Sequence, residues 1–236
     1  SRESELLKPL ASAQAIHAIL LGGGSAFGLD AAGGVMQFLE EKGIGFDVGV
    51  TKVPLVCQSD IFDLTVADSH IRPDKSMGYN ACAGAYDDNY QDGNFGAGTG
   101  ATVGKSNGME NCMKSGIGSY AVQIGELKIG AIVVVNALGD IYDPHTGKII
   151  AGMLNDDHTS FADSARYLYQ SYEVHDNKYV SNTTIGAVIT NACFDKSQLC
   201  KIASMTHNGY ARTIRPVNTS ADGDSIYALS VGKVAA

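Results

Sequence analysis

Several kinds of protein are excluded by what this chain of 236 residues lacks. It has no tryptophan and only five prolines, so it is neither a proline-rich linker nor a polyproline segment. Its five cysteines, Cys57, Cys82, Cys112, Cys193 and Cys200, are odd in number and form no C-x-x-C pair, which indicates neither a disulfide framework nor a zinc knuckle. The six histidines show no H-E-x-x-H or comparable spacing, so no metal site is expected. Apolar runs such as Ile129 to Val135 are far too short to span a bilayer, and Ser1-Arg2-Glu3-Ser4-Glu5 is no signal peptide, so the reading is a cytoplasmic chain without membrane contact. Basic residues number 17 against 25 acidic ones, a net charge of −8 with no Lys/Arg cluster; this argues against nucleic acid as a partner and favours small neutral or cationic ligands.

What the chain has is glycine, 28 residues of it, and short apolar runs separated by turns. One domain over residues 1–236 fits the length. Ala15 to Leu21 predicts a strand, followed by Gly22-Gly23-Gly24 and a helix that Ser25 caps, with Leu29, Ala32, Met36 and Leu39 at helical spacing and Gly43 closing it. Glycines crowd the stretch from Gly93 to Gly118, which predicts tight backbone approaches around a cavity or contact. Ser119 to Ile124 and Ile129 to Asn136 read as paired strands, the second buried on both faces. A helix is expected over about Ser160 to Tyr172, a strand over Thr184 to Thr190, and a helix from Asp195 with a capping box to Gln198 and a stripe of Leu199, Ile202, Ala203, Thr206 and Tyr210.

Two look-alike motifs fail on spacing. Gly22, Gly24 and Gly28 give G-x-G-x-x-x-G rather than a dinucleotide fingerprint, and Gly98 to Gly104-Lys105-Ser106 places its first glycine one residue too far for a phosphate loop. The stretch Asn182-Thr183-Thr184-Ile185-Gly186-Ala187-Val188 carries more chemistry. It sets a hydroxyl at the mouth of an apolar strand, and Asp222-Gly223-Asp224 opens a second strand, where alternation can point two carboxylates to one side. A threonine freed at its amino side carries its own base, an amine with a pKa of about 7.7–8.0. The same residues also read as a turn into a β-branched strand, and locally both readings stand.

Taken together, Ile16 to Ala32 with its Leu-Leu-Gly-Gly-Gly-Ser-Ala-Phe-Gly-Leu-Asp core, Gly96 to Lys105, Val134-Val135-Asn136-Ala137, Asn182-Thr183-Thr184-Ile185-Gly186 and Ile214-Arg215-Pro216-Val217 resemble the L-aminopeptidase/D-esterase family. That family also holds β-peptidyl aminopeptidases and the nylon-oligomer hydrolase. The resemblance implies an α+β fold, a four-layer αββα sandwich, and a precursor that cuts itself before its nucleophile. Here the implied cut lies between Asn182 and Thr183, giving chains 1–182 and 183–236. It implies Thr183 as nucleophile and free amine, Lys105 and Asn136 as its partners, and Asp222 and Asp224 as the carboxylates. Many aminopeptidases of the family use serine and a Ser-x-Glu pair, so Thr183 and Asp-x-Asp resemble the nylon-hydrolase branch. An aromatic site residue, usually tyrosine, maps to Phe62, which lacks the hydroxyl. The implied activity is hydrolysis of short peptides or small amide oligomers by a homotetramer without cofactor. In these roles Lys105 would lower the amine's pKa by like-charge repulsion, and Asn136 would donate its side-chain amide to the oxyanion. Relatives carry a leading segment before the position matching Arg2-Glu3. Its loss, or that of the hydroxyl at Phe62, leaves a second reading open, an inactive member that binds small ligands without turnover.

Overall fold

The computed structural model describes residues 1–85, 89–171 and 182–235. In chain order the elements are β1 (Ala18–Gly22), α1 (Ala31–Glu41), β2 (Phe46–Asp47), β3 (Lys52–Val53), β4 (Val56–Asp60), α2 (Lys75–Ala83), β5 (Thr102–Val103), β6 (Met113–Lys114), β7 (Ile117–Ile124) and β8 (Leu127–Val134). They continue with β9 (Asp140–Tyr142), β10 (Ile149–Ala151), α3 (Ser164–Gln170), β11 (Ile185–Ala192), α4 (Lys196–Thr213), β12 (Ile214–Arg215) and β13 (Ser225–Val234).

Strand alternation sorts the apolar residues into layers. On β1 and β4, which pair in parallel, Ala18, Leu20 and Val56 face Ala32, Val35 and Leu39 of α1. The residues between them, Ile19, Leu21 and Cys57, face the other way, onto Ile132, Ala187, Tyr227 and Leu229 of a four-stranded sheet ordered β13-β11-β8-β7. Ser59 and Tyr227 close this interface with a buried 2.7 Å hydrogen bond between hydroxyls. The far face of the larger sheet presents Val133 and Ile226, and Tyr210 of α4 packs there with them. Helix, sheet, sheet, helix is the four-layer αββα arrangement of an α+β fold.

The expected elements are present with shifted ends. The helix expected at Ser25 starts as a 3₁₀ turn over Ser25–Asp30, and α1 proper begins at Ala31. Ser25 does not cap it: Ser25 sits at φ +55° and its N–H donates to Ile61 O at 3.0 Å, an anchoring to the end of β4 that takes the place of the cap. Strand β8 is mostly half-buried, with Val134 alone fully enclosed. The helix expected up to Tyr172 is the seven-residue α3, capped by Asp163, and Tyr172 itself lies outside the described residues. The C-terminal reading needs no shift at its start, where Asp195 and Gln198 form the capping box of α4.

Candidate active site

The site lies where the two sheets meet at the mouths of β11 and β13. These strands pair in parallel, Ile185 beside Ser225, so the segments that lead into them run side by side and Asn182 bridges Asp222. Thr183 is half-buried just before β11, while Asn182 and Thr184 on either side are fully enclosed. Beneath them Ile61, Val134, Ile185 and Ala101 form a closed apolar floor, the three larger side chains each contributing about 1.5–3 kcal/mol by their burial.

Lys105 reaches the site from a turn that only glycine allows. Gly104 has φ +72°, and a Cβ there would stand 1.9 Å from Met153 N. The next residue, Lys105, ties its N–H to Leu138 O at 2.9 Å and sends its side chain inward, where 2% remains exposed. Its Nζ donates to Asn136 O at 3.0 Å and to Asn136 Oδ1 at 2.9 Å. Burial pulls its pKa from 10.5 down to about 8, against the attraction of Cys112, Asp222 and Asp224. Among the described residues no carboxylate lies within ion-pair distance of it, so the charge is held by amide oxygens alone.

Asn136, two residues past β8 and fully buried, is the hub. Its backbone oxygen accepts Thr183 N–H at 3.0 Å and Lys105 Nζ, so the threonine nitrogen and the ammonium share one carbonyl. Its Oδ1 accepts Lys105 Nζ and Thr102 N–H, the latter at 3.1 Å. Its Nδ2 donates to Phe62 O at 3.1 Å. One of the two Nδ2 hydrogens is therefore committed to the Phe62 main chain. Phe62 enters the site through its main chain, a contact for which the missing tyrosine hydroxyl is irrelevant.

Both aspartates accept from the loop at Asn218 and Thr219, and Asp224 also reaches the neighbouring strand. Asp222 stands before β13 and closes its own loop, accepting Thr219 N–H at 2.9 Å and Thr219 Oγ1 at 2.7 Å. Asp224 crosses to the other strand and accepts Thr184 N–H at 2.7 Å. Burial raises its pKa, and the Asp222 charge adds to that, against the hydrogen bonds from Thr184 and Asn218 and the pull of His207.

At the Asn182–Thr183 peptide, Thr183 Oγ1 donates to Asn182 O at 2.6 Å, and Gly223 N–H donates to the same oxygen at 2.7 Å. The structure thus brings Thr183, Asn182, Lys105, Asn136, Asp224 and the Phe62 main chain into one bonded cluster, with Asp222 at its edge. Sequence reasoning missed Thr102, whose N–H sits inside the quoted glycine-rich block, and Gly223, which lies between the two aspartates. Main-chain donors carry no side-chain signal.

The profile of peptidase family S58 matches residues 1–236. The chain belongs to peptidase family S58. An uncharacterized aminopeptidase of Mycobacterium leprae is 39% identical over 240 residues, covering 100% of this chain and 66% of the relative. A 6-aminohexanoate-oligomer endohydrolase of Agromyces sp. is 30% identical over 221 residues, covering 92% of this chain and 61% of the relative. Among solved structures, the L-aminopeptidase D-Ala-esterase/amidase of Ochrobactrum anthropi, whose structure is described as a new variant of the Ntn hydrolase fold, matches with a TM-score of 0.57 at 18% identity. A Burkholderia sp. β-aminopeptidase matches at 0.51 and 16%. These matches cover 86% and 84% of this chain and 50% of each solved chain. This S58 chain thus spans about two thirds of the length of the curated relatives and half that of the solved ones. Among the described residues no helix is long and apolar enough to cross a membrane.

Proposed function

We propose that this chain belongs to a self-processing N-terminal-nucleophile hydrolase that cuts amide bonds of short peptides or small amide oligomers, with Thr183 as nucleophile after cleavage of the Asn182–Thr183 bond. The observation that carries the reading is the pair of nitrogens on Asn136 O, the Thr183 N–H and the Lys105 ammonium. Once cleavage frees that nitrogen, an amine sits beside a buried cation. Like-charge repulsion keeps the amine neutral near pH 7, so it can take the proton of its own Oγ as that oxygen attacks a substrate carbonyl. The amine then returns the proton to the leaving nitrogen, and water resolves the ester by the reverse path. Asp224, bound to Thr184 N–H, offsets the positive charge that develops on the amine during transfer, and Asn136 positions both nitrogens.

The family membership and the names of the relatives support an amide hydrolase, and the Asp-x-Asp sequence with threonine favours the oligomer-hydrolase side. The reading includes assembly as a homo-oligomer in the cytoplasm. Its test is the denaturing intact mass of purified protein, 24.7 kDa for the uncut chain. Two pieces that sum to this mass plus one water, the smaller beginning at Thr183, are expected, and Thr183→Ala should give neither cleavage nor turnover. A wild-type chain that stays whole overturns the reading.

A further inference from the structure

Self-cleavage needs a donor for the oxygen that turns anionic, and the main-chain donor that the structure sets on Asn182 O is Gly223 N–H, while Asn136 Nδ2 donates to Phe62 O. Resting on the self-processing reading above, we infer that the backbone N–H of Gly223 is the oxyanion donor of the cleavage step, and that glycine is required there because a side chain would block the attacking hydroxyl.

Two independent observations carry this. The first is that Gly223 N–H already points at the scissile carbonyl, 2.7 Å from Asn182 O. That N–H lies within the preferred distance for an oxyanion donor and costs no rearrangement, since it belongs to the ladder that joins the approach to β11 with the approach to β13. The second is steric. A Cβ placed on Gly223 would stand 2.9 Å from Thr183 Oγ1 and 3.5 Å from Thr183 Cγ2, so the bare α-carbon forms one wall of the space in which the hydroxyl turns. Turning is obligatory. In the resting geometry Oγ1 donates to Asn182 O at 2.6 Å, and it must leave that bond to bring a lone pair to the carbonyl carbon.

The step balances as follows. The Oγ1 lone pair forms a bond to the Asn182 carbonyl carbon, and the C=O π pair moves onto Asn182 O, where the Gly223 N–H meets the negative charge. The C–N bond to Thr183 then breaks, its electrons stay on the Thr183 nitrogen, and that nitrogen receives the proton lost by Oγ1, which leaves Asn182 as an ester on Thr183. Water adds to the ester carbonyl, the C–O bond breaks, Asn182 ends as a carboxylic acid, and the hydroxyl is restored.

The test removes the N–H and leaves every side chain in place. Gly223 is replaced by glycolic acid in cell-free translation, so that a backbone ester stands where the amide was, and the precursor is pulse-labelled and followed on a denaturing gel. The control replaces Ser225 by its hydroxy-acid counterpart, which deletes the neighbouring N–H bond to Thr184 O at 3.0 Å and the same kind of ladder contact. Cleavage about 100-fold slower in the Gly223 ester, with the Ser225 ester near wild type, is the expected result. A Gly223 ester that cleaves within about threefold of wild type overturns the inference, as does an equal slowing by both esters, which would reduce the contact to a structural one. A wild-type precursor that never splits removes the self-processing reading itself, and that failure is visible in the wild-type lane alone.

Discussion

At the scale of single residues, the site is governed by a cation and a carboxylate that are both more buried than their charge favours. Lys105 holds its proton in the unfolded chain up to about pH 10.5 but in the fold only to about 8. Below pH 8 both states carry the proton. Between 8 and 10.5 only the unfolded chain does, so stability rises with pH by up to ~1.4 kcal/mol per unit, and above 10.5 the difference levels off. Lys105→Met has no such proton. Urea melts of the two proteins should therefore show the stability of the wild type climbing relative to the variant from pH 8 to 10.5, and the variant should lose cleavage, since Asn136 O and Oδ1 lose their ammonium donor. Asp224 has the opposite sign. Its raised pKa means that the fold binds a proton more tightly than the unfolded chain, so charging it costs stability as pH rises through the window above 3.8. Asp224→Asn keeps an oxygen for Thr184 N–H but loses the acceptor for Asn218 N–H, so the fall in stability with rising pH should vanish in its urea melts, and it should cleave roughly 100-fold more slowly. The residue types of this cluster were legible in the sequence because each has distinctive chemistry. Their bonding was not, because Asn136 works in large part through its main-chain carbonyl, and Phe62 and Gly223 through the main chain, where residue identity says little.

At the scale of elements, α4 is the clearest case of sequence deciding structure. Asp195 accepts Gln198 N–H at 2.8 Å and Gln198 Oε1 accepts Asp195 N–H at 2.9 Å, and the stripe that follows brings Tyr210 onto Gly186 of β11, where a Cβ would meet the tyrosine hydroxyl at 2.7 Å. Asp195→Ala should cost about 1 kcal/mol in urea melts, the usual worth of an N-cap, and it should leave the cleavage rate unchanged because the cap is far along the helix from Tyr210. The strands were less legible than this helix. β8 reads from its composition as a strand buried on both faces, and β7 as the strand paired with it. Yet Tyr120, Val122 and Ile124 stand 76%, 41% and 71% exposed on β7, because what covers a sheet face is decided by elements distant in sequence. The start of α1 was missed for a similar reason: the anchoring of Ser25 to Ile61 is a tertiary contact that overrides the local preference of serine for a cap.

For the whole molecule, the position of the proposed cut predicts how the two pieces behave. Residues 183–236 supply β11, α4, β12 and β13. β11 lies between β8 and β13 in the larger sheet, in antiparallel register with β8 from Ile185 beside Val134 to Thr190 beside Ile129. Taking the C-terminal piece away would split that sheet along this ladder, strip α4 from Val133, and expose Ile185, Ala187 and Tyr227, which are now packed against the β1 and β4 layer. It would also break the buried Ser59–Tyr227 bond and the contacts by which Lys196 Nζ holds the carbonyls of Leu6, Lys8 and Ala11. Unpaired strand groups in a buried position each cost about 1–3 kcal/mol, and the apolar area adds to them. Cleavage severs one covalent bond, between the enclosed Asn182 and the half-buried Thr183, and none of these contacts. Native mass spectrometry of the processed protein should therefore show both pieces together, each subunit of the assembly at the mass of the uncut chain plus one water, and denaturing conditions should separate them. Tyr227→Phe, which leaves Ser59 Oγ without its partner in the same interface, should lower the urea midpoint at which the pieces part while leaving the cut itself intact. Pieces that separate in dilute buffer without denaturant would mean that the sheet is not continuous across β8 and β11.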